Sequence, residues 1–252
     1  MKLPLILIVS LSLAFLTDAH AQILNTLRGW SDIDNGWSVE VEGKFSLSRG
    51  NYHHMDLSSH GAVQFLTRKN RFRFMISENF YNIDGSTVSE DFVAHLRHNY
   101  RLTTTFATLL FTQDQYKPYQ RLQRRTLLGG GLRADILHND RCGAALGASA
   151  MMESLAFTSE INKQDTTNFR GSFFISLLWQ PVDVLTIDLS GFYQPKLPDF
   201  TEPLLMSALC LETRLSQHLS IINTFDLAYD DSPAQGVDQT DYALKSGLRF
   251  SL

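Results

Sequence analysis

From Tyr242 to Leu252 the chain alternates. Tyr242, Leu244, Leu248, Phe250 and Leu252 are apolar at every second position, broken only by Ser246, and Lys245, Gly247, Arg249 and Ser251 lie between them. Successive side chains of a strand point to opposite faces, so this period of two predicts a strand with one apolar and one polar face. The pattern runs to the last residue given. An apolar strand edge left open recruits other chains, and closing it against the first strand of the same chain removes the hazard. A final strand of this kind predicts a transmembrane β-barrel.

The other end agrees. Lys2 precedes an apolar run from Leu5 to Leu16 interrupted only by Ser10 and Ser12, and Ala19-His20-Ala21 fits the small-x-small rule for cleavage before Gln22. Residues 1–21 are therefore expected to be a signal peptide, because a core this short cannot cross about 30 Å of hydrocarbon. Residues 22–35 follow as a short periplasmic lead, and 36–252 as the barrel. No later segment offers the unbroken apolar stretch of a membrane helix. A formal net charge of −4 speaks against nucleic acid as a partner.

The clearest alternation lies at 36–48, where Trp37, Val39, Val41, Gly43, Phe45 and Leu47 share one face and Ser38, Glu40, Glu42, Lys44 and Ser46 the other. Eleven more strands are predicted near 55–66, 71–80, 91–100, 104–113, 124–137, 141–154, 168–180, 184–194, 204–215, 218–229 and 241–252. Polar or Pro-bearing turns at 67–70, 101–103, 138–141, 180–183 and 216–217 alternate with longer polar segments at 81–90, 114–123, 159–167, 195–203 and 230–240. Short turns at one end and long loops at the other are the habit of outer-membrane barrels. The fold expected is all-β, a transmembrane antiparallel up-and-down barrel of about twelve strands. A soluble lipocalin-like cup would turn the same alternation inside out, but its core would have to hold every Phe, Leu, Trp and Tyr of twelve strands.

Some residues break the rule. Glu78 interrupts an outward row near the outer end, Asn223 interrupts another nearer the membrane centre, and the Ala- and Gly-rich 141–154 leaves its facing open. Cys142 and Cys210 fall on the seventh and tenth strands. Three strand spacings of about 4.8 Å separate them, too far for a disulfide, so two free thiols are expected.

Leu127-Leu128-Gly129-Gly130-Gly131-Leu132-Arg133 follows Arg124-Arg125, and Ser48-Arg49-Gly50-Asn51 forms a corner after the first strand. With the Trp37 start, Phe111-x-Gln113 and Met151-Met152-Glu153, these residues make most of the chain similar to the salt-induced outer membrane proteins of Gram-negative bacteria, an uncharacterised domain family. The resemblance implies an outer-membrane barrel. It implies no established activity and carries over no functional residues.

Twelve strands tilted by about 40° enclose a backbone radius of roughly 12 Å. The charged residues expected inside are Glu40, Glu42, Lys44, His60, Arg71, Arg73, His95, Arg97, Arg133, Asp135, Arg170, Glu212, Arg214, Asp226, Lys245 and Arg249. Such groups must be paired or solvated. Closing the barrel should bring Lys245 and Arg249 to Glu40 and Glu42, holding the seam. Pairing of the third and fourth strands should gather Arg71, Arg73 and Arg97 near the periplasmic end. That gathering reads either as a basic constriction for small anions or as an ordinary salt-bridged lumen.

Other chemistry is thin. Gly129-Gly130-Gly131 lacks the Lys-Ser/Thr ending of a phosphate loop and sits in a strand pattern, which predicts a bulge or a close strand approach. His53-His54 beside Asp56, and Asp230, Asp231, Asp238 and Asp241 in the last loop, lack the spacing of a metal site and read as solvated loop residues. No nucleophile elbow or zinc-protease motif is present, and Ser58 with His60 meets the geometry of a hydrolase pair poorly. The expectation is a non-enzymatic barrel without cofactor or metal, acting as a narrow passive pore or an envelope stabiliser. It would sit in the outer membrane of a Gram-negative bacterium among membrane lipid and lipopolysaccharide, and present its C-terminal strand to the assembly machinery. The alternatives are a lipid-modifying outer-membrane hydrolase and a soluble periplasmic barrel binding a small ligand.

Overall fold

The computed structural model describes residues 35–48, 54–83, 86–118, 121–157 and 165–252. The expected signal peptide 1–21, the lead 22–35 except its last residue, the Gly50-Asn51 corner and His53 lie outside them. The described strands are β1 (Gly36–Ser48), β2 (His54–Leu66), β3 (Asn70–Ile83), β4 (Ser86–Arg101), β5 (Phe106–Lys117) and β6 (Leu122–His138). They continue as β7 (Cys142–Phe157), β8 (Thr166–Val182), β9 (Leu185–Lys196), β10 (Thr201–Arg214), β11 (Leu219–Asp230) and β12 (Thr240–Ser251). Each strand pairs antiparallel with its neighbours in chain order, and β12 returns to β1, closing the barrel.

Every expected strand forms, but the sorting of short turns and long loops is blunted. Segment 81–90 was expected to be a loop, yet β3 runs to Ile83 and β4 starts at Ser86. Likewise β5 reaches Lys117. Polar residues such as Ser89 and Glu90 end the apolar alternation without ending the backbone ladder, which pairs them with Tyr81 and Phe80. Hydropathy marks where a strand leaves the apolar layer, and hydrogen bonding carries it further.

The apolar faces point outward. Trp37 is 69% exposed and Phe169 62%, and Phe72, Phe74, Ile76, Leu248 and Phe250 are exposed with them, whereas Glu42 and Arg249 are only 4% and 3% exposed. An apolar belt of that extent on a water-soluble chain would drive association. Here it is the lipid-facing surface of a transmembrane barrel. In β7 the uncertain facing resolves, with Ala145, Met151 and Glu153 inward and Leu146 and Met152 outward. Cys142 and Cys210 are free thiols on β7 and β10.

The lumen is filled rather than bare. Met75, Val93, Leu109, Leu127, Met151 and Ile222 are buried inside it beside the charged groups. Part of this set falls in two small clusters, Ala62 with Met75 and Val93, and Leu109 with Phe174, Phe111 and Phe192.

Candidate functional site in the barrel lumen

Four arginines converge toward the end that carries the short turns. Arg73 and Arg97 oppose each other directly on β3 and β4, and Arg71 opposes Asn99 one inward position lower. Arg133 joins from β6 and repels both Arg71 and Arg97 electrostatically. All four are buried. Asp135, two residues along the same inward row, accepts from Arg133 Nε at 2.8 Å. The expected gathering of Arg71, Arg73 and Arg97 therefore forms, enlarged by Arg133.

Above it lies an aromatic layer that sequence reading missed as a unit. The His95 ring stacks on Phe111 at 5.9 Å, and His95 Nδ1 lies 2.7 Å from Gln113 Oε1. Phe174 and Phe192 pack against each other at 5.9 Å. The glycines make this layer fit. A Cβ on Gly129 would lie 2.5 Å from Phe111 Cζ, and one on Gly147 would lie 2.1 Å from Phe174 Cε1. The run 129–131 therefore serves close approach rather than a bulge, because the register shifts of β6 fall between 122 and 124 and between 135 and 137. The signal was present as Phe111-x-Gln113 beside a glycine run, but only pairing β5 with β6 sets Phe111 opposite Gly129.

Toward the other end, Glu153 bridges two buried arginines. It accepts from Arg125 Nε at 2.8 Å and from Arg170 Nε at 2.5 Å. Arg170 Nη1 also donates to the carbonyls of Gln194 and Glu202 at 2.9 and 2.8 Å. A carboxylate shared by two guanidiniums satisfies charges that would be costly alone. Lys117 was overlooked because it fell in an expected loop, and Arg125, inside the expected strand 124–137, was not counted among the inward charges. These residues form the floor of a vestibule of about 380 Å³, roofed by Pro233, Ala234 and Val237 of the β11–β12 connection. A cavity of about 80 Å³ follows beside His95 and Phe111, and one of about 20 Å³ beside Arg71 and Asp135.

The seam is half as expected. Arg249 opposes Glu42, donates to it through Nε at 2.8 Å and also pairs with Glu212 and with Glu40 at 3.5 Å. Lys44 pairs with Glu42 at 3.4 Å. Lys245 does not join Glu40 or Glu42. Its Nζ donates to Ser58 Oγ at 3.2 Å and Asn79 Oδ1 at 3.4 Å, because on β12 it stands above the last rung shared with β1. Arg214, expected inside, is exposed at the rim where β10 ends.

The other candidates are placed as follows. Ser58 donates to Asp56 Oδ1 at 3.4 Å and accepts from Lys245, all within the lumen. His60 opposes Glu42. Asp230 Oδ1 accepts from Ser232 N at 2.9 Å and Asp231 Oδ1 from Tyr229 Oη at 3.1 Å, so these acids shape their loop. Among the described residues no group of three His, Cys, Asp or Glu is placed to hold a metal ion.

The fold is similar to that of the NanC porin, with a TM-score of 0.54 and 11% identity over 85% of this chain and 100% of that one. The translocator domain of the autotransporter NalP from Neisseria meningitidis gives a TM-score of 0.47 at 9% identity, over 87% of this chain and 89% of that one. The KdgM porin gives 0.45 at 10%, over 85% and 99%. At these identities the NanC likeness is one of fold. No curated protein matches the chain. A family model described as "Protein of unknown function, DUF481" matches residues 44–252, from within β1 through β12, and the chain belongs to that family.

Proposed function

We propose that this barrel is a narrow passive pore in the outer membrane of a Gram-negative bacterium, selective for small anions. The observation that carries the reading is the buried convergence of Arg71, Arg73, Arg97 and Arg133 below an aromatic layer. Like charges held together inside a lumen lower the energy of an anion there and raise that of a cation. The porin-like fold supports the location. Residues 1–21 would direct export and leave, with 22–35 as a periplasmic lead. Membrane lipid and lipopolysaccharide would surround the apolar belt, and the assembly machinery would engage β12. The role proposed is non-enzymatic, and the expected weak pairing of Ser58 with His60 gains no support from a Ser58 hydroxyl that accepts from Lys245.

The shrinking of the cavities from about 380 to 80 to 20 Å³ favours a second reading, a closed barrel that stabilises the envelope. Planar-bilayer recording separates the two. A pore gives stepwise, anion-selective conductance, and replacing Arg71, Arg73 and Arg97 together with Gln shifts its reversal potential toward cations. An unchanged reversal potential overturns the anion filter, and silence of the folded wild-type barrel overturns the pore.

A further inference from the structure

The short turns after β2 and β4 are tied into one rim. Arg101 N donates to the Lys69 carbonyl at 2.8 Å. A threonine caps each turn from within, accepting from Asn70 N at 3.0 Å through Thr67 Oγ1 and from Phe106 N at 2.9 Å through Thr103 Oγ1. On this fixed frame Arg68, Lys69 and Arg101 are all exposed. Residues 66–72 and 98–106 contain no Asp or Glu. Among the described residues no carboxylate ion-pairs with Arg68, Lys69 or Arg101. Asp135 is the acid lining the cleft between the turns, and it is held by Arg133 at 2.8 Å. Arg71 lines the same cleft and is repelled by Arg101. The turns after β6 and β8 differ, since Arg141 of one pairs with Asp183 of the other at 3.4 Å. Positive charge is thus concentrated on one arc of the rim, and an anion is its complement.

That arc borders the lipid-facing belt. Tyr100, Leu102 and Phe106 are exposed beside it, with Phe72 on the neighbouring strand. Lys69 Nζ lies 5.9 Å from the centroid of the Tyr100 ring, which places the ammonium on the outer side of the wall rather than in the lumen. The His98 ring stacks on Phe72 at 4.4 Å, and His98 Nε2 lies 3.0 Å from Asn70 Oδ1. From the belt to the rim the outer surface therefore grades from apolar through amphipathic to cationic, matching a lipid read from tail to phosphate. The cleft itself holds about 20 Å³, room for one oxygen-sized atom. A phosphate would seat there by a single oxygen and stay at the membrane surface.

We propose that this arc binds an anionic phospholipid of the leaflet at the short-turn end. Arg68, Lys69 and Arg101 hold its phosphodiester, and a tail lies against Phe72, Tyr100 and Phe106. A head that carries its own ammonium is repelled by the same cations, so phosphatidylglycerol is favoured over phosphatidylcholine. The site needs the transmembrane fold but not the anion selectivity of the pore, and its test leaves Arg71, Arg73, Arg97 and Arg133 in place.

Native mass spectrometry of the full barrel in detergent, titrated with dioleoylphosphatidylglycerol, counts bound lipid. The first lipid should bind about tenfold or more tightly than dioleoylphosphatidylcholine, and Arg68→Gln with Lys69→Gln and Arg101→Gln should remove that preference. Arg141→Gln with Arg214→Gln takes cations from other short turns and should leave it intact. Glycerophosphoglycerol, the same head without tails, should fail to compete at equal concentration. The electrophoretic shift of unboiled samples checks that each variant is folded, and the comparison of the two lipids on the wild-type barrel needs no variant. Equal binding of the two lipids, an unaffected triple variant, an equal loss in the Arg141 and Arg214 control, or competition by the tailless head as strong as by the lipid would overturn the proposal, the last by making the arc a site for free anions.

Discussion

Ser246 Oγ donates a hydrogen bond to Asn223 Oδ1 at 2.7 Å. The two residues are directly opposed on β12 and β11, and each interrupts an apolar lipid-facing row. Either alone would leave a polar group facing hydrocarbon, whereas together they satisfy one another where a hydrogen bond has little competition from water. Ser246→Ala should therefore cost about 1–2 kcal/mol by orphaning the Asn223 amide. Asn223→Val with Ser246→Val should recover that loss, since an apolar pair replaces a satisfied polar one. Urea unfolding in lipid vesicles measures both, and strictly additive losses would break the claim of mutual satisfaction.

Arg249 adds side-chain ties to the backbone rungs of the seam. It is buried and engages Glu42, Glu40 and Glu212, so it neutralises acids drawn from both sides of the closure. Arg249→Met strands those carboxylates and should cost about 3–5 kcal/mol, as breaking one side of a buried ion pair does. Mobility in detergent electrophoresis after stepwise heating is the measurement. The variant should lose its compact band at a lower temperature than wild type, and Lys44→Met, which removes one half-buried partner of Glu42, should shift it much less.

Two glycines on distant strands, Gly131 of β6 and Gly43 of β1, should respond oppositely to a methyl group. A Cβ on Gly131 would lie 2.1 Å from the carbonyl oxygen of Ala148 and 2.5 Å from Ser149 Cα, both backbone atoms. A Cβ on Gly43 would meet nothing within 4 Å. Gly131→Ala should destabilise the barrel by about 1–3 kcal/mol or more, because backbone cannot step aside as a side chain can. Gly43→Ala should be neutral or slightly stabilising. Comparable losses at both sites in vesicle unfolding would mean that conformational freedom, not space, is what Gly131 supplies.

The strands and the direction of their faces were legible because both follow from a local period of two. Trp37, Val39 and Phe45 sit outward and Glu42 inward for the reason their spacing implies. What lay beyond reading depends on register and reach. Arg71, Arg73 and Arg97 could be grouped because β3 and β4 are adjacent in the chain, but Arg133 enters from a strand two places further round. Lys245 was assigned to Glu40 and Glu42 on the assumption of a full-length seam, and the ladder stops at Lys44 and Gly247. The bridge from Glu153 to Arg125 and Arg170 joins three strands, and no spacing within one strand reveals it. The aromatic layer needed knowledge of which glycine faces which ring.

That layer lines the small cavity beside Arg97. Phe111 and Phe174 project into the lumen over Gly129 and Gly147, and the cavity between them and Arg97 holds only about 80 Å³. If the barrel conducts, these rings narrow the path above the arginines. Phe111→Ala with Phe174→Ala should raise single-channel conductance about twofold or more while leaving the reversal potential unchanged, because the charges beneath stay in place. Arg73→Gln should do the reverse, moving the reversal potential with little change in conductance. Planar-bilayer records of the two variants separate size from charge, and a change in both quantities from either variant would show that the rings and the arginines act as one constriction.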